Sequence, residues 1–578
     1  MNSAEIIDRL ETYVVLLELS DANPFKIRAY QNGIRALEAA EVGVAELAET
    51  SRLGEIKGIG KGLAGHIEAL YRDQPDPEYQ ELIEKTPPGL LDMLKISGLG
   101  SKKVRAIYET LGISTIGELE YACNENRLAT MKGFGAKSQA NVLKGIEFLK
   151  QRQGLFLYPM AEDKARALIE ALGSEARIKQ LELAGSLRRR KEVVHDIDLV
   201  ASCETADREA IMAHFAGLPM VEEVVVRGES KTGVKLKSGL LAELRLVEPL
   251  EFPHLLQHMT GSKEHNTVLG QQADHRGMKI NEYGIYRGEE RILCRDEAEI
   301  YSALGLHYVP PELRENHGEI EDAGAGPLPG LVSDQDIQGV FHAHTLWSDG
   351  DCSLAEMVKH CRGLGYSYLG LSDHSQSAVY AHGLEVERVK AQWREVDELN
   401  AGLKDFRVFK GIEVDILGDG ALDYDDELLA GFDFVIASVH SRFKMERDEM
   451  TARILRAARH PAVTMLGHLT GRLLLAREGY PVDVEAVIDA CAETGTVIEL
   501  NAHPSRLDLD WRYGPYARRQ GLKISINPDA HSTHGLEAVR YGVAAARKAG
   551  FGPADVVNTM SLKAIDAWLQ QRRGAKSR

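Results

Sequence analysis

The chain has 578 residues, a formal net charge of −18, 44% hydrophobic and 27% charged residues, a composition ordinary for soluble globular protein with three to four domains. It has no apolar run of about 18 residues, no basic leader and no CxxC pair, so we expect a cytoplasmic protein without a membrane segment, a signal peptide or a zinc ribbon. The negative charge alone disfavours nucleic acid as a partner unless positive charge is concentrated locally.

Residues 1–154 are predicted to be helical, because amphipathic segments alternate there with short loops. A Gly-apolar-Gly turn followed by a helical stretch occurs three times, near Ile56, Ile96 and Met131. Such a turn exposes backbone N–H groups at a helix N-terminus, where a phosphate oxygen binds favourably. The candidate phosphate-binding residues are Gly58, Gly60, Gly98, Gly100, Gly133 and Gly135, with Lys61, Lys102, Lys103 and Lys137 nearby.

Residues 155–248 change to mixed strand and helix. Asp196 and Asp198 alternate on a predicted strand, so their carboxylates share a face and can hold magnesium. A smaller mixed segment, 249–318, follows. The stretch EDAGAGPLPG, with its small residues, glycines and prolines, then predicts a linker over 319–335.

From residue 336 onward, apolar strands alternate with amphipathic helices, which predicts a βα barrel or a layered α/β domain. His342 and His344 are two apart on a predicted extended strand, so both imidazoles can reach one ion. Other histidines and acids fall at the ends of further strands, which face one rim in a parallel barrel. This repeated placement predicts a metal centre. Its candidate ligands are His342, His344, Asp349, His374, Glu413, His440, His468, Asp529 and His531.

The same motifs, HxH, SDG, DHS, GIEVD, SVHS, GHL and PDAH, resemble in that order the PHP (polymerase and histidinol phosphatase) domain. The resemblance implies a distorted seven-stranded barrel, up to three divalent metals and the nine residues above as their ligands. Mixed imidazole and carboxylate ligands favour manganese, zinc or iron over magnesium. The chemistry implied is attack of metal-activated water on phosphorus. Nearby polar residues have either a supporting role or ordinary surface pairing: Asp373, Asp415, Arg472, His503 and Arg506.

The three glycine turns resemble helix-hairpin-helix motifs, which hold DNA backbone without reading sequence. The segment NPFKIRAYQNGIRALE resembles the N-terminal small domain of family X DNA polymerases, which implies that Lys26 and Tyr30 contact the 5′ phosphate of a gap. A snorkelling lysine and a core tyrosine are the alternative interpretation. Some members carry a Schiff-base lysine where this chain has His66. Imidazole cannot form that imine, so we expect no deoxyribose-phosphate lyase activity by that route.

The segment AGSLRRRKEVVHDIDLVAS resembles the nucleotidyltransferase signature of the same family. The resemblance implies two magnesium or manganese ions that activate the primer hydroxyl and stabilise the leaving pyrophosphate. The implied catalytic carboxylates are Asp196, Asp198 and Glu243. The implied nucleotide-binding residues are Gly185, Ser186, Arg189, Thr260, Gly261, Ser262 and Asn266.

This sequence departs from the family pattern at several of these positions. Glu243 replaces the usual third aspartate, and its extra methylene displaces the carboxylate from octahedral magnesium geometry. Other departures replace a glycine, two aromatic positions and a template-contacting arginine: His195, His258, Met259 and Gly270. We therefore expect slow, weak or absent polymerisation.

The chain is thus identified as a member of the bacterial family X DNA polymerases with a C-terminal PHP domain. The expected fold is multidomain α+β and α/β, with helical helix-hairpin-helix domains, a nucleotidyltransferase palm with thumb, and a distorted (β/α)7 barrel. The expected domains are 1–80 and 81–154 (helical), 155–248 (palm), 249–318 (thumb), 319–335 (linker) and 336–578 (PHP). The expected partners are dNTPs and gapped or nicked duplex DNA with 3′ ends. We expect a monomer that acts as a 3′→5′ exonuclease and as a gap-filling polymerase.

Three alternatives remain open at this point. The first is a PHP phosphoesterase whose palm is only a DNA-binding scaffold. The second is a small-molecule phosphatase of the histidinol-phosphate type, which leaves the helix-hairpin-helix motifs without a purpose. The third is a non-catalytic protein that binds DNA ends.

Overall fold

The computed structural model describes residues 3–38, 44–72, 74–124, 128–129, 131–152, 154–475 and 478–576. The chain forms two compact units, Met1–Gln153 and Gly154–Arg578. Among the described residues, no helix is both long and apolar enough to cross a bilayer.

The first unit is helical, as its amphipathic segments predict. One core includes Ile6, Leu10 and Ile67, and a second includes Met93 and Val104. The helices are α1 (Ser3–Leu19), α2 (Pro24–Glu38), α3 (Val44–Glu49), α4 (Lys61–Tyr71), α5 (Pro77–Lys85), α6 (Pro88–Met93), α7 (Ser101–Leu111), α8 (Ile116–Asn124) and α9 (Ala136–Arg152).

The three glycine turns lie directly before α4, α7 and α9. Gly58, Gly98 and Gly133 have φ angles of +107°, +86° and +87°, which L side chains rarely adopt. Gly60 and Gly100 are the N-caps of α4 and α7, and no side chain caps either helix. The backbone N–H groups of the first turn are therefore available to an anion, as the sequence pattern predicts.

The second unit begins with a five-stranded sheet in the order β2-β4-β7-β6-β5, in which only the β4–β7 pair is parallel. The parallel register places Asp198 of β4 beside Glu243 of β7. The strands are β1 (Phe156–Leu157), β2 (Gln180–Leu183), β3 (Val193–Val194), β4 (Asp196–Ser202), β5 (Val221–Arg227), β6 (Lys231–Leu236) and β7 (Leu241–Val247). The helices are α10 (Tyr158–Gly173), α11 (Gly185–Arg188) and α12 (Arg208–Ala216).

A small helical subdomain with a three-stranded antiparallel sheet follows. Its elements are α13 (Phe252–Thr260), α14 (Lys263–Asp274), β8 (Lys279–Asn281), β9 (Gly284–Arg287), β10 (Glu290–Ile292), α15 (Glu297–Ala303) and α16 (Glu319–Ala325). Helix α16 lies within the segment predicted to be a linker. Its Ile320 and Ala323 are buried in the core of this subdomain, so the helix is part of that subdomain. The segment 319–335 is therefore not an unstructured connection along its whole length.

The C-terminal part is a barrel of seven parallel strands in sequence order, and an isolated bridge between Ala343 and Ala530 joins its first and last strands. The strands are β11 (Gly339–Val340), β12 (Tyr368–Leu371), β13 (Arg407–Asp415), β14 (Phe434–Ser438), β15 (Met465–Leu466), β16 (Val497–Asn501) and β17 (Ile524–Asn527). The helices are α17 (Leu354–Gly363), α18 (Val386–Gly402), α19 (Asp426–Leu429), α20 (Arg447–Ala458), α21 (Val484–Thr494), α22 (Gly514–Arg519), α23 (Val539–Lys548) and α24 (Leu562–Lys576).

Helix α24 covers the amino-terminal end of the barrel. Tyr368, Phe434 and Val497 are the first residues of their strands, and they share a buried cluster with Ile565 and Leu569 of α24. The carboxyl ends of the strands meet at the opposite mouth, which is where parallel barrels collect their functional groups.

Candidate metal centre and palm site

The nine predicted ligands converge at the carboxyl-terminal mouth of the barrel. Seven of them follow the ends of β11, β12, β14, β15 and β17, Asp349 lies in the loop after β11, and Glu413 is within β13. Their ligand atoms form four overlapping groups, in each of which all atoms lie within 4.8 Å of one another. The groups are His344, Asp349, His374 and His531; His342, Glu413 and His468; His342, His344 and Asp529; and His374, Glu413 and His440.

Glu413 is the centre of this arrangement. Its Oε1 lies 3.3 Å from His342 Nε2 and 3.1 Å from His468 Nε2. The same oxygen lies 3.3 Å from His440 Nε2, and Oε2 lies 2.9 Å from His374 Nδ1. His344 Nε2 lies 3.7 Å from Oε2, so five imidazoles surround this one buried carboxylate, and the group could hold cations together.

Two aspartates extend the cluster on either side. Asp349 Oδ2 lies 3.5 Å from His374 Nε2 and 3.4 Å from His531 Nε2. Asp529 Oδ1 lies 3.3 Å from His344 Nε2 and 3.4 Å from His342 Nε2. Each aspartate thus shares a potential ion with two imidazoles.

Several of these atoms are buried without a hydrogen bond. Within the described part of the chain, His342 Nε2, both ring nitrogens of His344 and Glu413 Oε2 have no hydrogen-bond partner. Leaving such groups unsatisfied costs about 1–3 kcal/mol each, so a native site normally supplies another partner. A divalent cation is the partner that suits converging imidazole and carboxylate lone pairs. The donor set therefore fits metal ions.

Burial and charge prepare these groups for coordination. Burial, with the neighbouring His374 imidazole, lowers the pKa of His344 to about 3, so the ring is neutral at neutral pH and one nitrogen offers a lone pair. Although burial opposes it, the carboxylates of Glu413 and Asp349 raise the pKa of His374 to about 10. Without cations, protons on the histidines would balance the carboxylates, and metal binding would displace them.

The backbone at the first two ligands differs from the predicted strand. Strand β11 ends at Val340, and His342 has a φ of +56°. Asp529, opposite it, has a φ of +52°. The bridge between Ala343 and Ala530 lies next to both residues and closes the barrel there. His342 and His344 do approach each other, with ring centroids 5.2 Å apart, but extended-strand alternation is not the reason.

A tenth residue, Glu499, was missed by the sequence analysis. It is fully buried in β16, and its Oε1 contacts His342 Nδ1 at 2.5 Å. Its Oε2 accepts hydrogen bonds from the His468 backbone amide and from Asn501 Nδ2. Glu499 therefore orients one ligand directly and a second through its backbone. An acid within an otherwise apolar, buried strand is the signal that could have identified it.

The polar residues near the ligands have varied partners. Asp415 pairs with His440 Nδ1, so it orients a ligand. Asp373 accepts hydrogen bonds from Thr345, Ser348 and Gln392, and it thereby holds the loop between His344 and Asp349.

The remaining three candidates, Arg472, Arg506 and His503, have different partners. Arg472 is engaged by Asp510 and by two backbone carbonyls, so its charge is already satisfied. Arg506 Nε lies 3.7 Å from Asp529 Oδ2. Burial lowers the pKa of His503, and its ring nitrogen bonds Ser505.

A second site lies on the palm sheet, in an open cavity of about 800 Å³. Asp196 and Asp198 line this cavity beside the glycine turn at the start of α11. Gly185 has a φ of +62°, and a Cβ there would lie 1.9 Å from Asp198 Oδ2. Only glycine lets this turn approach the carboxylates so closely. The cavity is lined by Gly185, Ser186, Arg189, His195, Asp196, Asp198, His258, Met259, Gly261, Lys263, Asn266 and Thr267.

The three carboxylates differ in their charge environments. Burial and the neighbouring Asp196 and Glu243 carboxylates raise the pKa of Asp198 to about 7. Burial acts against it, but hydrogen bonds from Lys231 and Arg245 lower the pKa of Glu243. Glu243 Oε2 lies 2.6 Å from Lys231 Nζ, and Oε1 accepts a 2.9 Å hydrogen bond from Arg245. Glu243 is adjacent to Asp198 but already paired with two cations.

Of the other predicted nucleotide contacts, some are exposed to the cavity and others serve the fold. Ser262 is buried, and its hydroxyl caps α14 by accepting from the His265 amide. The Asn266 amide donates to the His258 carbonyl at 2.8 Å. Thr260 is buried and accepts a hydrogen bond from Arg188. A Cβ at Gly270 would meet nothing within 4 Å.

The N-terminal candidates form their own polar cluster. Lys26 donates to Tyr13 Oη at 3.0 Å and pairs with Glu78. Tyr30 Oη contacts His66 Nδ1 at 2.9 Å, and His66 Nε2 contacts an Asp76 carboxylate oxygen at 2.6 Å. Lys26 and Tyr30 are thus close together, each with an internal partner that a DNA phosphate would have to compete with.

Family models match four parts of the chain. A helix-hairpin-helix domain matches residues 1–74, and a SAM-like helix-hairpin-helix tandem matches 90–147. The DNA polymerase beta thumb matches 255–315, and the PHP domain matches 341–503.

Relatives match the whole chain or its barrel. The DNA polymerase/3′-5′ exonuclease PolX of Bacillus subtilis is 37% identical over 575 residues, which are 99% of this chain and 100% of that protein. A "Probable phosphatase" of Thermoanaerobacter sp. is 25% identical over 243 residues, 40% of this chain and 94% of that protein. A crystal structure of Leishmania infantum polymerase beta covers 40% of this chain and 100% of its own at 21% identity and a TM-score of 0.26. The chain belongs to the family X DNA polymerases that carry a C-terminal PHP domain.

Proposed function

We propose that the protein is a DNA-repair enzyme that fills gaps with its palm and removes 3′-terminal nucleotides with its PHP barrel. The observation that carries the proposal is the convergence of nine imidazole and carboxylate side chains at one barrel mouth, in a chain whose palm presents a second carboxylate site. The names of its relatives support the same pair of activities. Gapped or nicked duplex DNA and dNTPs are the proposed substrates, and we propose a cytoplasmic monomer.

The proposal includes the domain boundaries predicted from the sequence and a role for each domain. Helical domains over 1–80 and 81–154 would hold DNA backbone through their glycine turns. The palm over 155–248, the thumb over 249–318 and the PHP domain from 336 onward would act on the same duplex. The family-model matches and the break between the two compact units near residue 154 support these limits.

In the barrel, the nine ligands would hold up to three manganese, zinc or iron ions. Bound there, such ions supply an activated water and neutralise charge that develops on the leaving oxygen. Other residues of the chain would fix the geometry of these ligands. Glu499 and Asp415 orient ligand imidazoles, and Asp373 ties down the loop that carries Asp349. The buried setting also strengthens every charge interaction at the scissile phosphate.

In the palm, Asp196 and Asp198 would hold magnesium or manganese beside the turn at Gly185. The exposed N–H groups of that turn and the Arg189 guanidinium are placed to bind a triphosphate. Burial and the crowding of like charges raise the pKa of Asp198 to about 7, and a divalent cation would relieve the crowding.

One labelled substrate tests both activities. On a gapped, end-labelled duplex, we expect the parent to shorten the 3′ end and, with dNTPs, to extend it. His342→Ala/His344→Ala should abolish shortening alone, because it removes ligands from three of the four groups. Asp196→Ala/Asp198→Ala should abolish extension alone. The matched control is His275→Ala/His534→Ala, which removes two exposed histidines and should change neither.

Shortening that survives the His342→Ala/His344→Ala change would exclude the barrel as the nuclease. Extension that survives loss of both aspartates would exclude the palm as the polymerase.

A second candidate function is favoured by the pairing of Glu243. Its carboxylate is neutralised by Lys231 and Arg245 rather than held open for a metal ion. In this alternative, the palm is a DNA-binding scaffold for the PHP nuclease. Normal shortening without any extension, in manganese as well as in magnesium, would establish it.

A further inference from the structure

Within the unit Gly154–Arg578, a buried polar network joins the PHP barrel to a loop of the palm. This palm loop is residues 189–192, between α11 and β3, and it lies between Gly185 and Asp196 in the chain. The barrel contributes Lys548 at the end of α23 and Trp511 in the turn before α22. The thumb contributes Glu315, which follows a short helical turn at Pro311–Leu313. The palm contributes Arg189 and Glu192. None of the residues from the barrel belongs to the metal centre.

Arg189 is fixed on two of its three nitrogens. Its Nε donates to Glu315 Oε1 at 2.9 Å, and its Nη1 donates to the Thr260 carbonyl at 2.5 Å. The side chain lines the palm cavity beside Gly261. Among the described residues, no hydrogen bond involves Nη2, and the side chain as a whole is 11% exposed. The guanidinium is thus held at two nitrogens while its side chain lines the cavity.

Glu315 is in turn held by the barrel. Lys548 Nζ donates to Glu315 Oε1 at 2.6 Å, the same oxygen that Arg189 contacts. The ammonium also donates to the Arg189 carbonyl at 2.9 Å. The Lys548 side chain is fully buried, and that of Glu315 is 8% exposed. Lys548 therefore holds both the backbone of the palm loop and the carboxylate that aims its guanidinium.

Trp511 completes the connection. Its ring lies under Lys548 Nζ, 4.4 Å from the ammonium to the centroid, and its Nε1 donates to Glu192 Oε2 at 2.8 Å. Arg512 adds a 2.9 Å hydrogen bond to Glu192 Oε1. Both ends of the loop, at Arg189 and at Glu192, are thus bound by residues of the barrel. Asp196 begins β4 four residues beyond Glu192.

We propose that Lys548 is a positioning residue of the polymerase site: through Glu315 it aims Arg189 at the triphosphate of an incoming nucleotide. The PHP barrel would then be a structural part of the nucleotide site as well as the nuclease. This inference rests on the proposed gap-filling function of the palm.

The variant that tests it is Lys548→Met, which keeps the apolar length of the side chain and removes the ammonium. Nucleotide affinity should fall, because Arg189 loses its alignment and Glu315 loses a neutralising charge. We expect the KM for dNTP in gap filling to rise about tenfold with kcat changed less than about threefold, the pattern of lost binding. Shortening of a 3′ end by the barrel should stay within about twofold of the parent. Lys563→Met, an exposed lysine of α24, is the matched control.

Lys548→Met leaves the buried Glu315 carboxylate with fewer neutralising cations, which is destabilising, so a second variant separates positioning from folding. Lys548→Met/Glu315→Gln removes both charges and should restore the thermal midpoint of unfolding. If Lys548 acts through Glu315, the double variant keeps the raised KM, because Arg189 still lacks a charged anchor. If the KM returns to the parent value together with the midpoint, Lys548 only stabilises the fold and the proposal is overturned.

Measuring nucleotide binding directly makes the test of Lys548 independent of catalysis. Equilibrium dialysis of labelled dNTP with magnesium needs no turnover, and Trp511 fluorescence, assigned with Trp511→Phe, reports on the network itself. If the parent fills no gap but binds dNTP, the polymerase proposal fails, while weaker binding by Lys548→Met still supports the positioning role. Equal binding by parent and Lys548→Met overturns that role, and so does a parent that binds no dNTP.

Discussion

Glu499 shows how one side chain can organise the candidate metal centre without being one of its nine predicted ligands. It contacts His342 Nδ1 and leaves Nε2 directed at Glu413 and Asp529, so it determines which imidazole nitrogen is available for an ion. Partners of this kind typically contribute tenfold to a hundredfold in metal affinity or activity.

We therefore expect Glu499→Gln to slow 3′-end shortening about tenfold to a hundredfold while gap filling is unchanged. The loss should be partly recovered at high manganese concentration, because the ligands themselves remain. Glu493→Gln, an exposed acid of α21, is the control and should be silent. Parent-like shortening by Glu499→Gln at limiting metal would show that His342 needs no such partner.

His254, in α13, gives the protein a pH-dependent stability. It is 1% exposed, neither ring nitrogen has a hydrogen-bond partner among the described residues, and burial, with the nearby Arg291, lowers its pKa to about 4. In the unfolded chain the same group titrates near 6.5. Between these values the unfolded state binds more protons, so stability is complete above about pH 6.5 and falls toward about pH 4.

The expected loss from this histidine is about 2 kcal/mol of unfolding free energy at about pH 5 relative to neutral pH. His254→Leu removes the titrating group, so its thermal midpoint should fall less than that of the parent between about pH 7.5 and about pH 5. His275→Leu, at an exposed position, should keep the parent's dependence. A parent-like pH profile in His254→Leu would contradict this assignment.

At the scale of elements, the three glycine turns before α4, α7 and α9 repeat one arrangement, which we propose holds DNA backbone. No side chain caps α4 or α7, and each of the three helices has an exposed lysine in its first turn: Lys61, Lys102 and Lys137. Their contribution should be electrostatic and independent of base sequence.

The triple change Lys61→Gln/Lys102→Gln/Lys137→Gln should weaken binding of gapped duplexes of unrelated sequence equally. The slope of log affinity against log salt should fall by about 0.9 for each phosphate contact that is lost. Fluorescence anisotropy over a salt series measures both effects. An equal change in slope for Lys359→Gln/Lys404→Gln/Lys563→Gln, on exposed barrel positions, would mean that net charge rather than the turns governs binding.

The same elements show what a sequence can predict. Glycine turns, the Asp196–Asp198 alternation and the seven polar positions that follow strand ends are local patterns, and local patterns are visible in sequence. Glu499 lies within a strand, so a search of strand ends passes over it. The left-handed backbone at His342 follows from closure of the barrel against Ala530, and the pairing of Lys548 with Glu315 joins residues more than two hundred positions apart. Both depend on tertiary structure that spacing does not encode.

At the scale of the whole molecule, one chain carries two candidate sites for different metal ions. The barrel has nitrogen and oxygen ligands suited to manganese, zinc or iron, whereas the palm has carboxylates suited to magnesium. A net charge of −18 opposes DNA binding overall, and the exposed lysines Lys61, Lys102 and Lys137 place positive charge locally at the glycine turns.

The measurement that tests this account most directly is the metal content of the purified, folded chain. Elemental analysis after dialysis against metal-free buffer should find two to three manganese, zinc or iron ions per parent chain. His342→Ala/His344→Ala should lose most of them, and Asp196→Ala/Asp198→Ala should keep them all. A well-folded parent that takes up none of these metals, or a histidine variant that retains them in full, would contradict the barrel centre on which the proposed nuclease depends.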